Sequence, residues 1–190
     1  PDGNFPTVEK PNPEEAPAMK LAIALGEKEK ADCIMATDPD ADRFGSAFPD
    51  KDGKFVLITG NQMGALFLEY ILLSRKELGK MPEKPAAVRT IVTSPFIDYI
   101  CKKYGVKVFE CLTGFKWIAA VEASMEKNNS ASYVFGFEES YGYLVKSFVR
   151  DKDAVQAVLL LTEVAAHFKN EGKTLYDGLQ ALYAKHGYFL

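Results

Sequence analysis

A chain of 190 residues with 47% hydrophobic and 26% charged residues has enough apolar material for one large domain, or one domain with part of another, and its composition excludes disorder. The formal charge of -3 and the pI near 5.5 exclude a broad basic face for nucleic acid, while leaving room for a small anionic substrate held by local positive groups. No apolar run is long enough for a membrane span. Cys33, Cys101 and Cys111 are widely spaced in apolar surroundings and are expected to be core thiols in a reducing compartment, the cytoplasm, rather than a disulfide scaffold or zinc site.

In chain order, Pro1, Pro6, Pro11 and Pro13 keep the first thirteen residues irregular. A helix is predicted from near Glu14 to Lys30, with Pro17 in its first turn and Met19, Ala22, Ile23 and Leu25 turned to a core. A strand, Asp32 to Thr37, follows and leads into Asp38-Pro39-Asp40-Ala41-Asp42-Arg43. Alternate aspartates on an extended backbone converge only if the chain bends, and Pro39 and Ala41 stand where a tight loop would curl. Three such carboxylates repel one another unless a cation joins them, and all-oxygen ligands suit Mg²⁺ first, with Mn²⁺ or Ca²⁺ also accepted. Arg43 adds an anion-binding fork beside them. An EF-hand does not fit, because Arg43 stands where the loop needs glycine and Pro49 where it needs glutamate.

Phe44 to Phe48 and Lys54 to Ile58 then read as a hairpin around Gly53. Beyond it, helix and strand patterns alternate. Asn61 is expected to cap a helix ending at Gly79, a strand runs from Ala87 to Thr93, and Ser94-Pro95 launches a helix to Gly105. A strand from Val106 to Leu112 leads through Thr113-Gly114-Phe115-Lys116 into a helix carrying Trp117, Ile118, Val121 and Met125, with Trp117 read as core. A strand from Tyr133 to Phe137 opens on Glu138-Glu139-Ser140-Tyr141-Gly142. Asp153 and Gln156 form a capping-box pattern for a long helix bearing Val155, Val158, Leu159, Thr162 and Ala165 and stopped at Gly172. Thr174 and Asp177 start a last helix, stopped at Gly187.

The fold class expected from this pattern is α/β: a mixed, mostly parallel sheet with helices on both faces, preceded by the C-terminal part of another α/β domain. The loops after the strands open on one sheet edge, where such folds place ligands. Glu138 and Ser140 suit a polyhydroxyl ligand, and Lys116, Arg150 and Lys152 suit a phosphate. For each, a plainer role stays open: Lys116 as a solvated first-turn lysine, Glu138 as a cap or ion-pair partner, and Arg150 and Lys152 as partners of Asp151 and Asp153. His167 and His186 have no metal-ligand spacing.

Three motifs in one order resemble the α-D-phosphohexomutases, the phosphoglucomutases and phosphomannomutases. Asp38-Pro39-Asp40-Ala41-Asp42-Arg43 resembles their metal loop, Thr113-Gly114-Phe115-Lys116 their Thr-Gly-x-Lys loop, and Glu138-Glu139-Ser140-Tyr141-Gly142 their sugar-binding loop. Phe137 departs from the pattern, standing where a glycine usually precedes the first glutamate. The resemblance implies that Asp38, Asp40 and Asp42 hold Mg²⁺, that Arg43, Lys116 and Lys152 lie near substrate or phosphate, and that Glu138 and Ser140 grip sugar hydroxyls. It further implies residues 1–55 as the end of domain II and 56–190 as domain III with the approach to domain IV. The phosphoserine loop of domain I and the phosphate loop of domain IV have no match here, so those domains are expected as partners within one longer chain.

The implied reaction exchanges hexose 1-phosphate and hexose 6-phosphate through an enzyme phosphoserine and a hexose 1,6-bisphosphate, with the isolated 190 residues inactive. The start at Pro1 and the apolar end Tyr188-Phe189-Leu190 fit an excised segment. The alternatives are a stand-alone Mg²⁺ or sugar-phosphate binding module and a Mg²⁺ phosphatase using Asp38 as nucleophile.

Overall fold

A computed structural model of the chain describes residues 2–188; Pro1, Phe189 and Leu190, named in the sequence reading of the termini, lie outside the described residues. The first block is helix α1 (Ala16–Glu29) against an antiparallel sheet of β1 (Ile34–Thr37), β2 (Phe44–Pro49) and β3 (Phe55–Ile58), in the order β1-β2-β3. Pro17 sits in the first turn of α1, where its missing N–H costs nothing. Met19 enters the core and Ala22 and Ile23 line it, but Leu25 is exposed, on the far side of the helix from the sheet. Gly26 lets α1 pack closely on β1, since a Cβ there would fall 2.9 Å from the Ile34 side chain. The hairpin between β2 and β3 closes as expected on Gly53, at φ +78°, with the Asp50 carboxylate accepting from the Asp52 and Lys54 amides.

The second block is a four-stranded sheet, β5-β4-β6-β7, formed by β4 (Pro85–Thr90), β5 (Lys107–Cys111), β6 (Ser132–Glu138) and β7 (Gly142–Leu144). The first three pair in parallel, and β7 runs antiparallel along β6. This is the mixed, mostly parallel α/β sheet expected from the sequence. One face is covered by α2 (Gly60–Glu77), α3 (Phe96–Tyr104), α5 (Ala154–Asn170) and α6 (Leu175–His186), which enclose Phe67, Phe135, Phe137, Ile97, Leu161 and Leu179. The other face is covered by α4 (Phe115–Asn128), which seals Val88, Phe115, Ile118 and Met125. Phe137 is fully buried, and it fits because Gly64 of α2 has no Cβ; one would lie 2.2 Å from its ring.

Several local expectations are corrected. Helix α2 is capped two residues earlier than Asn61, by Thr59, which forms a reciprocal capping box with Gln62; Asn61 instead accepts from the Ser94 amide at 3.1 Å. Strand β4 stops at Thr90, and Ile91 and Val92 lie exposed beyond the sheet edge. Trp117 is 42% exposed rather than core, because it stands one residue from the position, Ile118, that faces the sheet. Along α5 the buried stripe is Ala154, Ala157, Leu160, Leu161 and Val164, while Val155 and Leu159 face outward. Apolar residues on both sides of that helix made its inner face ambiguous. Asp153 caps α5 through the Val155 and Gln156 amides, but the Gln156 side chain does not complete the box and instead receives the Val145 and Lys146 amides. The Thr174–Asp177 box at the start of α6 forms as expected.

The three cysteines are free; burial pushes the Cys101 thiol up to about 12 and the Cys111 thiol up to about 11, which fits inert core thiols. His186 sits buried at the end of α6, with Nε2 3.0 Å from Glu69 of α2. Among the described residues no helix is long and apolar enough to cross a membrane.

Candidate metal centre and sugar loop

The aspartate loop leaves β1 at Thr37 and returns as β2 at Phe44. Its bend is made by Ala41 in the left-handed region at φ +58°, and is held by Asp38, whose Oδ1 accepts from the Asp42 amide at 3.1 Å and the Arg43 amide at 2.9 Å. The curl brings one carboxylate oxygen from each of Asp38, Asp40 and Asp42 within 4.8 Å of one another. Burial, followed by the neighbouring charges of Asp42 and Asp40, raises the Asp38 carboxyl above its ordinary value, against the lowering effect of the Arg43 amide. Three converging hard oxygen donors form a set that fits a divalent cation such as Mg²⁺. Arg43 lies at the edge of this group, 4.0 Å from Asp38 and 3.9 Å from Glu14.

The second loop is bonded onto the first. Arg43 bridges to Gly142, and the Phe44 amide donates to the Tyr141 carbonyl at 2.9 Å, so the turn between β6 and β7 lies along the start of β2. Tyr141, at φ +67°, makes that turn. Glu138 is 7% exposed and accepts from the Gly114 amide at 2.7 Å, which joins the two sheet-edge loops directly. Burial raises its carboxyl above the usual range, while the Gly114 amide pulls it back. Glu139 points the other way and accepts from the Thr90 and Thr93 hydroxyls at 3.1 and 3.3 Å. Gly60 presses against the back of this loop; a Cβ there would lie 1.9 Å from the Glu139 carbonyl oxygen. Ser140 lies half-buried at the tip.

The cationic residues separate into two groups. Lys152 extends across Gly142 and places Nζ 2.7 Å from Asp42 Oδ2, so it joins the aspartate group. Arg150 points away from it and pairs with Glu122 and Glu126 of α4. Lys116 is exposed in the first turn of α4, its ammonium 5.5 Å from the centre of the Trp117 ring. The structure thus gathers Asp38, Asp40, Asp42, Arg43 and Lys152 at one point, ties Glu138 to the Thr-Gly loop, and holds Arg150 on a helix. Sequence reasoning missed Glu122, Glu139 with its two threonines, and Gly60. Glu122 left a legible signal: it is a carboxylate set in the apolar stripe of Ile118, Val121 and Met125.

Comparison with known proteins agrees with this architecture. Residues 59–186 match the family model for phosphoglucomutase/phosphomannomutase alpha/beta/alpha domain III, and residues 1–53 match the model for domain II of the same family. This chain belongs to the phosphoglucomutase/phosphomannomutase family, within the α-D-phosphohexomutase superfamily. It is 39% identical over 188 residues to a phosphoglucomutase of Staphylococcus haemolyticus, covering 99% of this chain and 33% of that relative. A Staphylococcus aureus phosphoglucomutase is 41% identical over 183 residues, covering 96% of this chain and 32% of its own length. The chain therefore spans about a third of the length of these curated relatives. Among solved structures, the open form of parafusin, a phosphoglucomutase from Paramecium, shares the fold with a TM-score of 0.70 and 24% identity, over 94% of this chain and 30% of that one.

Proposed function

We propose that this chain is the central part of a phosphohexomutase that interconverts hexose 1-phosphate and hexose 6-phosphate through an enzyme phosphoserine and a hexose 1,6-bisphosphate. The observation that supports it most is the docking of the Glu138–Gly142 loop onto the strand that leaves the aspartate loop, through the Phe44–Tyr141 hydrogen bond. A loop able to hold sugar hydroxyls and a loop able to hold a cation then share one edge, as a phosphosugar reaction requires.

In this reading residues 1–55 close domain II and residues 56–190 form domain III. Asp38, Asp40 and Asp42 would hold Mg²⁺, which when bound supplies positive charge where negative charge builds on a transferring phosphoryl group. Arg43 and Lys152 orient an anion beside the aspartates, and Lys116 extends the positive rim, while Arg150 is engaged by Glu122 and Glu126. Glu138 and Ser140 accept from and donate to the sugar hydroxyls, and two short-range contacts on one loop tolerate the sugar in both of its orientations. Glu138, tied to the Gly114 amide, keeps the Thr-Gly loop in register with the sugar loop.

The phosphoserine and a second phosphate clamp are supplied by other parts of a longer protein, so the 190 residues alone are expected to show no mutase activity. The test is a mutase assay on the longer protein and on this chain alone. Conversion of glucose 1-phosphate by the longer protein, lost on Asp40→Asn and reduced on Glu138→Ala, supports the assignment. Turnover by these 190 residues alone, or indifference of the longer protein to both substitutions, overturns it.

A further inference from the structure

Lys152 is carried by an irregular connection, residues 145–153, between β7 and α5. Its two ends are tied by backbone groups: the Val145 and Lys146 amides donate to the Gln156 side chain, the Asp153 amide to the Tyr143 carbonyl at 2.9 Å, and the Ala154 amide to the Ala41 carbonyl at 3.1 Å. Its middle is held differently. Glu122 of α4, only 4% exposed, receives the Arg150 guanidinium. Glu126, exposed one turn along the helix, takes the other arm of Arg150.

A carboxylate buried on the apolar stripe of an amphipathic helix is costly unless paired, and here, among the described residues, its ion-pair partner is Arg150 of this connection, on the helix that covers the sheet face opposite the main core. Resting on the mutase reading, we propose that Glu122 is a positioning residue. Through Arg150 it pins the 145–153 connection so that Lys152 is delivered to Asp42 at the aspartate loop. Phe148 and Val149, which precede Arg150, are exposed and offer the connection no apolar anchor of their own. The pin is bidentate to Arg150 through two helical positions four residues apart, a geometry that fixes direction as well as distance.

The inference is tested first on this chain, without any activity. Amide hydrogen exchange across 147–152 and the ammonium signal of Lys152 in nitrogen-15 NMR are compared for the unsubstituted chain, Glu122→Gln, Glu126→Gln and Arg150→Lys. Glu122→Gln is expected to raise exchange at 147–152 by at least about tenfold and to shift or broaden the Lys152 signal while the rest of the chain keeps its protection. Glu126→Gln should have a smaller effect, and Arg150→Lys, which keeps a cation opposite Glu122, should retain most of the Lys152 signal. Unchanged exchange and an unchanged Lys152 signal in folded Glu122→Gln overturn the proposal. Should that variant not fold, Arg150→Met is read by the same two measurements and decides in the same way.

In the longer protein, Glu122→Gln should lower kcat with little change in KM, and its effect should vanish in a Lys152→Met background. Equal effects of Glu122→Gln with and without Lys152 overturn the positioning role. An inactive parent protein would count against the mutase reading alone, since the NMR arm judges the pin independently.

Discussion

The two loops that meet at the candidate site are built by opposite strategies. The aspartate loop makes its bend largely from within, Asp38 satisfying the amides of Asp42 and Arg43 with its own side chain, while Gly142, Lys152 and Ala154 dock onto it from outside. The 138–142 loop is assembled from afar, since Glu138 is fixed by Gly114, Glu139 by Thr90 and Thr93, and its back by Gly60. A local loop tolerates change around it but not within it, whereas an assembled loop can be broken from several distant positions. The difference follows from where each backbone finds its partners.

The largest effect that would break this contrast is expected inside the first loop. Asp38→Ala removes both a candidate metal ligand and the acceptor for two loop amides, so Mn²⁺ affinity measured by calorimetry should fall by more than about 100-fold. A change below about tenfold would mean that the loop does not depend on itself. From outside the second loop, Gly60→Ala drives a methyl group into the Glu139 backbone. It should cost about 3 kcal/mol in chemical unfolding, while leaving Mn²⁺ affinity close to that of the unsubstituted chain. Coupled losses in both measurements would show that the two loops are not separable.

Lys152→Met sharpens the comparison with a change of opposite sign. The ammonium 2.7 Å from Asp42 competes with a cation for that oxygen, and removing it should raise Mn²⁺ affinity of the 190-residue chain two- to fivefold, the scale of about 0.5–1 kcal/mol for a partly exposed pair. The smallest effect concerns Glu138. Its folded-state carboxyl titrates above its ordinary value because of burial, so the folded chain holds the proton more tightly than the unfolded one. Stability therefore falls as pH rises from the ordinary carboxylate range through the raised value, and Glu138→Gln should remove that slope. Thermal midpoints across pH 4 to 7 with the same slope in both proteins would place the pH dependence elsewhere.

Local chemistry made much of this molecule legible. The Gly53 hairpin, the Thr174–Asp177 box and the alternation behind the parallel strands needed only neighbouring residues, and they appear as read. Failures came where a competing partner won. Asn61 was claimed by the Ser94 amide and Gln156 by the amides of Val145 and Lys146, so neither performs the capping its sequence position suggested. Trp117 and the α5 stripe were misplaced because period alone does not say which of two apolar sides meets the sheet.

By itself the sequence determined the aspartate curl, because the Asp38 side chain reaches over Pro39 and Ala41 to the loop's own Asp42 and Arg43 amides. It also determined the class of sheet, because helix and strand periods are properties of consecutive residues. Only the tertiary structure decided that Lys152 turns to Asp42 while Arg150 turns to Glu122, and that Glu138 holds Gly114. Those pairings join positions far apart in the chain, and a flexible charged side chain takes whichever opposite partner the packed core brings within reach.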